Sequence, residues 1–106
     1  MFIRYNNTGD FAMKTIITFT RENIEKLPEN KPTIYIIITR NLNYNYIGLA
    51  PRGRIQERLF EHLPSGPDAI PGAKIIVEQV DNIVAARSKM EQLIRRKLPK
   101  YNKQSI

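Results

Sequence analysis

At 106 residues the chain is sized for one domain with one core, which buries roughly 65% of the surface that an unfolded chain of this length exposes. It carries 17 Lys and Arg against 10 Asp and Glu, a formal charge of +7 that favours polyanionic partners, nucleic acid first and an anionic membrane surface second. There is no cysteine, which excludes disulfides and thiolate metal sites and suits a reducing cytosol. No apolar run approaches the roughly 20 residues of a membrane span and no signal-peptide pattern opens the chain, so a soluble, cytoplasmic protein is expected.

Residues 1–13 are mixed and polar, with Asn6-Asn7-Thr8-Gly9 as a turn, and read as a loose arm or an edge strand. Lys14 to Phe19 is β-rich and alternates weakly, a short strand. Thr20 is a good N-cap for a short helix over Arg21–Lys26 that stops before Pro28. Thr33 to Thr39 holds the unbroken run Ile34-Tyr35-Ile36-Ile37-Ile38, which predicts a central strand buried on both faces. A short polar turn over Thr39–Asn43 leads into a second strand, Tyr44 to Leu49. The hairpin this predicts brings Tyr35 close to Tyr46, and two neighbouring phenols on a basic domain suggest phosphate chemistry.

From Arg54 to Leu63 the period becomes helical, with Ile55, Leu59 and Leu63 as the apolar stripe. Arg58 and His62 are four apart on this helix and share one face. They read either as an ordinary solvated face or as a permanent cation beside a group that titrates near neutral pH. Pro64 to Gly72 is a loop, and Ala73 to Val80 a third strand. Asp81 or Asn82 caps a second helix that runs to about Lys97, with Ile83, Ala86, Met90, Leu93, Ile94 and Leu98 as its stripe and Pro99 as its stop. The expected fold is α/β (α+β): a small antiparallel or mixed sheet of three main strands in the order β-β-α-β-α, preceded by a short strand and helix. One domain over 1–106 is expected, with a core at 27–102 and residues 1–26 as an N-terminal extension.

Thr33-Ile34-Tyr35, Tyr46-Ile47-Gly48, Arg58 with His62, and Pro99-Lys100-Tyr101-Asn102 occur in that order. Together they resemble the GIY-YIG nuclease superfamily, both its small stand-alone members and the N-terminal nuclease domain of the excision-repair incising subunit. The likeness covers residues 27–102. It implies a DNA endonuclease that hydrolyses phosphodiester bonds with one divalent metal, Mg²⁺ or Mn²⁺. It also implies site residues: Tyr46 activating the attacking water beside Tyr35, Arg58 stabilising charge on the phosphate, His62 assisting proton traffic, and Asn102 supporting the site. Arg52, Arg54, Arg95, Arg96 and Lys100 are expected to meet the nucleic-acid backbone.

The family's metal-holding glutamate lies three residues before a Leu-Ile pair and twelve before the asparagine. With Leu93-Ile94 and Asn102 both counts (93 − 3 and 102 − 12) land on Met90. A thioether does not replace a carboxylate for a hard cation. Glu91 is the next residue, about 100° further round a helix. Two accounts follow. Either Met90 is core and the protein binds nucleic acid or a protein partner without cutting, or a one-residue π-bulge turns Glu91 into the site as the metal ligand.

Overall fold

The computed structural model describes residues 2–5 and 11–102, and for residues 2–5, 11 and 12 the backbone alone. The turn expected at Asn6-Asn7-Thr8-Gly9 lies outside the described residues. Among the described residues there are five strands: β1 (Phe2–Tyr5), β2 (Phe11–Thr18), β3 (Thr33–Ile38), β4 (Tyr44–Ala50) and β5 (Lys74–Gln79). Three helices accompany them: α1 (Arg21–Ile24), α2 (Ile55–Glu61) and α3 (Ile83–Lys97).

The strands form one sheet in the order β1-β2-β5-β3-β4, antiparallel at every pairing. The mixed-sheet alternative is thereby removed. Two strands precede α1: β1 takes the edge-strand alternative expected within residues 1–13, and β2 is the strand expected at Lys14 to Phe19, begun at Phe11. Met13, Thr15 and Ile17 point to the packed side while Lys14, Ile16 and Thr18 are exposed, so β2 obeys the period of two over its whole described length. The apparent weakness of that pattern comes from Thr15, a polar residue at a buried position.

β3 lies between β5 and β4, and all six of its residues are buried. Alternation divides them between two cores. Tyr35 and Ile37 join Met13, Leu27, Ile55, Leu59, Ile75 and Val77 beneath α1 and α2. Ile34, Ile36 and Ile38 join Ile47 and Ala86, with Met90, Leu93 and Ile94 of α3 packed against them. Burying apolar side chains on both faces supplies the main driving force for this strand's central place.

Local chemistry sets the element ends. The Thr20 hydroxyl accepts from Asn23 N at 3.3 Å, and Asn82 Oδ1 accepts from Ala85 N at 2.8 Å, so both helices begin on side-chain caps. α3 ends with Leu98 in the left-handed region at φ 47°, its N–H donating to Ile94 O. Pro99 disfavours right-handed helical geometry in the residue before it, which accounts for that turn. Leu98 is consequently 71% exposed and leaves the apolar stripe in which its spacing placed it.

Beyond Pro99 the chain folds back along the sheet edge. Lys100 N donates to Tyr44 O and Tyr101 N to Asn45 O. These bonds cover part of the outer edge of β4, which otherwise presents unpaired backbone groups.

Candidate active site

Register builds the site. Tyr35 faces Gly48 across the β3–β4 pair, and Ile37 faces Tyr46. Tyr35 and Tyr46 are thus diagonal neighbours on one face, their ring centroids 6.0 Å apart. The Tyr35 ring lies directly over Gly48, where a Cβ would fall on its ring carbons and hydroxyl. Glycine is required there for space, not for backbone conformation.

α2 brings His62 under both phenols as its C-terminal cap. The imidazole is 4.9 Å from the Tyr46 ring and 5.6 Å from the Tyr35 ring, centroid to centroid. His62 is 2% exposed, so the solvated-face reading of this residue does not hold. Its Nδ1 lies 2.8 Å from the Asp68 carbonyl oxygen, which only accepts, so Nδ1 carries a proton. In the neutral ring Nε2 then accepts the Tyr35 hydroxyl proton, at 2.9 Å. The Asp68 carboxylate stands 3.4 Å from Nδ1 and is largely exposed. Both ring nitrogens are therefore committed to holding Tyr35 and the loop after α2, and His62 is built as a support for the tyrosines.

Burial pushes both phenols above their ordinary value of about 10. The shift is large for Tyr35, which burial dominates and the neighbouring Tyr46 reinforces. For Tyr46 burial is again the main cause, with Asp68 adding to it, while the Arg58 guanidinium pulls the other way. At neutral pH both are neutral hydroxyls, donors before they are bases.

Tyr46 opens into a cleft of about 300 Å³ that Tyr35, Gly48, Pro51, Arg58, Ile83, Arg87, Met90, Ile94 and Asn102 help to line. Asn102 reaches it from the tail, and its amide is spent on backbone: Oδ1 accepts from Ile47 N at 2.8 Å and Nδ2 donates to Ile47 O at 2.9 Å. It pairs with β4 as a neighbouring strand would, and so fixes the strand that carries Tyr46.

Tyr35, Tyr46, Arg58, His62 and Asn102 are thus brought together. Glu91 is not. α3 is α-helical throughout, with no π-bulge, and Glu91 is exposed while Met90 occupies the cleft wall. Arg52, Arg54, Arg95, Arg96 and Lys100 are exposed outside the lining. Arg54 pairs with Glu57, and the Lys100 ammonium sits 5.5 Å from the Tyr101 ring centroid. Arg87 is the lining residue that the sequence reading omits. Its signal was available: Ile83, Arg87, Met90 and Ile94 follow helical spacing, so one face of α3 carries all four.

A hard divalent cation takes oxygen ligands, carboxylates above all. Among the described residues, none that lines this cleft has a carboxylate, and no cluster of three or more acidic, histidine or cysteine side chains is placed to hold a metal. The residues present do not fit such an ion. A second cleft, about 440 Å³, is lined by Glu29, Glu57 and Glu61 among others, and its charge is the wrong sign for phosphate.

No protein-family model and no curated protein matches this chain. Two solved structures do, both of the GIY-YIG N-terminal endonuclease domain of UvrC from Thermotoga maritima. One is an asparagine-to-alanine point mutant bound to its catalytic divalent cation, 26% identical to this chain with a TM-score of 0.61. The other is a tyrosine-to-phenylalanine point mutant bound to the catalytic divalent cation, 27% identical with a TM-score of 0.61. Each match covers 79% of this chain and 94% of the other. The chain thus resembles GIY-YIG nuclease domains in fold as well as in its ordered motifs. Among the described residues no helix is long and apolar enough to cross a membrane.

Proposed function

We propose that this chain is a GIY-YIG-type domain that binds the phosphodiester backbone of DNA in the Tyr46–Arg58 cleft, in the cytoplasm, with hydrolysis held back by Met90. The observation that carries this reading is the convergence of Tyr46 and Arg58 on a cleft with no carboxylate among its described lining residues. Arg58 supplies a planar, permanent cation matched to two phosphate oxygens at once. Tyr46, kept neutral by partial burial, donates its hydroxyl proton to one of those oxygens or to water beside the phosphorus. Tyr35 and His62 hold Tyr46 from beneath, and Asn102 holds its strand. The +7 charge draws DNA toward the domain.

A second reading is a working endonuclease that uses Mg²⁺ or Mn²⁺. The intact tyrosine–histidine–arginine group favours it, as does the likeness to endonuclease domains bound to a catalytic cation. It requires a carboxylate that the described lining residues lack, so binding without efficient cutting is the better-supported function.

Fluorescence anisotropy with a short labelled duplex tests the proposal. Affinity should fall steeply with salt, the logarithmic slope being roughly −0.9 for each phosphate neutralised. Arg58→Ala should weaken binding about tenfold and reduce that slope by about one. A folded wild-type protein with no salt-sensitive DNA binding at low ionic strength would refute it.

A further inference from the structure

We propose that Arg87 is the second phosphate-binding group of this cleft, and that Arg58 and Arg87 together hold a DNA phosphodiester with no divalent cation between them. This inference rests on the DNA-binding reading above and assigns its chemistry. Four residues of α3 line the cleft: Ile83, Arg87, Met90 and Ile94. Three are apolar, so Arg87 is the one charge on that wall. Arg58 lines the same cleft from α2, and Tyr46 from β4. Among the described residues the lining therefore sums to two positive charges and no negative one.

A cleft so charged repels a free divalent cation and attracts a phosphodiester, whose single negative charge and two free oxygens suit two guanidinium forks. Neither arginine is engaged in an ion pair among the described residues. Glu91 stands four residues after Arg87, at helical pairing distance, yet no ion pair joins them. Arg58 is half-buried and Arg87 exposed, so the site has an inner and an outer cation. Met90 lies on the same wall as Arg87, and a thioether there neither binds a hard cation nor competes for the arginines. A glutamate at that position would draw Arg87 into an ion pair and away from phosphate. Met90 and Arg87 are thus two parts of one arrangement.

The experiment measures the dissociation constant for a short labelled duplex, in EDTA and in Mg²⁺ at matched ionic strength. Wild type, Arg58→Ala, Arg87→Ala and Arg87→Lys are compared, each with its fold checked by circular dichroism. Arg87 is an exposed helix position and alanine is a strong helix former, so the variant should stay folded. Wild type should bind no tighter in Mg²⁺ than in EDTA. Arg87→Ala should weaken binding about tenfold and lower the salt slope by about one, with Arg87→Lys recovering the slope and part of the affinity. If Arg58→Ala weakens binding and Arg87→Ala does not, the inference falls and the DNA-binding reading stands. Tenfold or greater tightening by Mg²⁺ also overturns it. If neither substitution weakens binding, both are refuted.

Discussion

Met90→Glu should raise Mg²⁺- or Mn²⁺-supported nicking of supercoiled plasmid by about a hundredfold or more over wild type. That gain corresponds to about 2.7 kcal/mol of transition-state stabilisation, a modest demand on a bound metal ion that polarises phosphoryl oxygens. Met90 is the right position because it lines the cleft that holds Tyr46 and Arg58. The new carboxylate would add hard oxygen donors where a thioether now stands. The substitution has a cost. Met90 also packs against the Ile34 and Ile36 core, and losing those contacts should remove about 1–2 kcal/mol of stability. Arg58 and Arg87 partly offset this by pairing with the new charge. Met90→Gln, neutral and similar in shape, should give no gain, and adding Tyr46→Phe to Met90→Glu should abolish the activity. A wild type that already nicks as fast as Met90→Glu would show that Met90 holds nothing back.

Gly48→Ala has the largest expected effect on stability of any single-methyl addition in the site. A Cβ at Gly48 meets the ring and hydroxyl of Tyr35, and neither can withdraw. Tyr35 is 1% exposed, and its hydroxyl is bonded to His62. Overpacking of this kind costs typically about 1–3 kcal/mol, and the anchored ring argues for the upper end. For a domain near 100 residues each kcal/mol shifts the melting midpoint by roughly 4–8 °C, so a fall of about 10–20 °C is expected. Thermal melts of Gly48→Ala, Tyr35→Ala and the double variant form a cycle. The alanine at 48 should cost almost nothing once the ring is gone. A full cost in both backgrounds would mean that the close approach to Tyr35 is not its cause.

The sequence carried the hairpin and the helices because their signals are local. Five consecutive apolar residues predicted a strand covered on both faces, and β3 is covered by α2 on one side and α3 on the other. Ile55, Leu59 and Leu63 predicted the buried face of α2 and its following turn, and all three are buried. The N-terminal strands were harder, since β2 finds its partner β5 some sixty residues away and displays a threonine on its packed side.

Within the site, the residues visible from local spacing differ from those fixed by tertiary partners. Arg58 and His62 share a helix face by arithmetic, but only the Asp68 carbonyl and the Tyr35 hydroxyl turn His62 into a buried support. Asn102 reads as a polar group delivered by a turn; its pairing with Ile47 depends on β4 being an edge strand, which periodicity does not reveal. Arg95 and Arg96, expected at the nucleic-acid backbone, lie in the last turn of α3, where they complement the helix dipole, and are exposed outside the cleft. Arg87, isolated among apolar residues of the same face, is the one on the cleft wall.

The central claim is that DNA phosphate docks in the Tyr46–Arg58 cleft. Amide and methyl NMR shifts recorded while a short duplex is titrated into ¹⁵N,¹³C-labelled protein in EDTA test it most directly. The account predicts that the largest changes fall at Tyr46, Ile47, Gly48, Arg58, Arg87 and the Met90 methyl. Changes concentrated instead around Lys14, Ile76 and Lys89, which line a separate cleft between α3 and the sheet, with the Tyr46–Arg58 cleft residues unmoved, would contradict it.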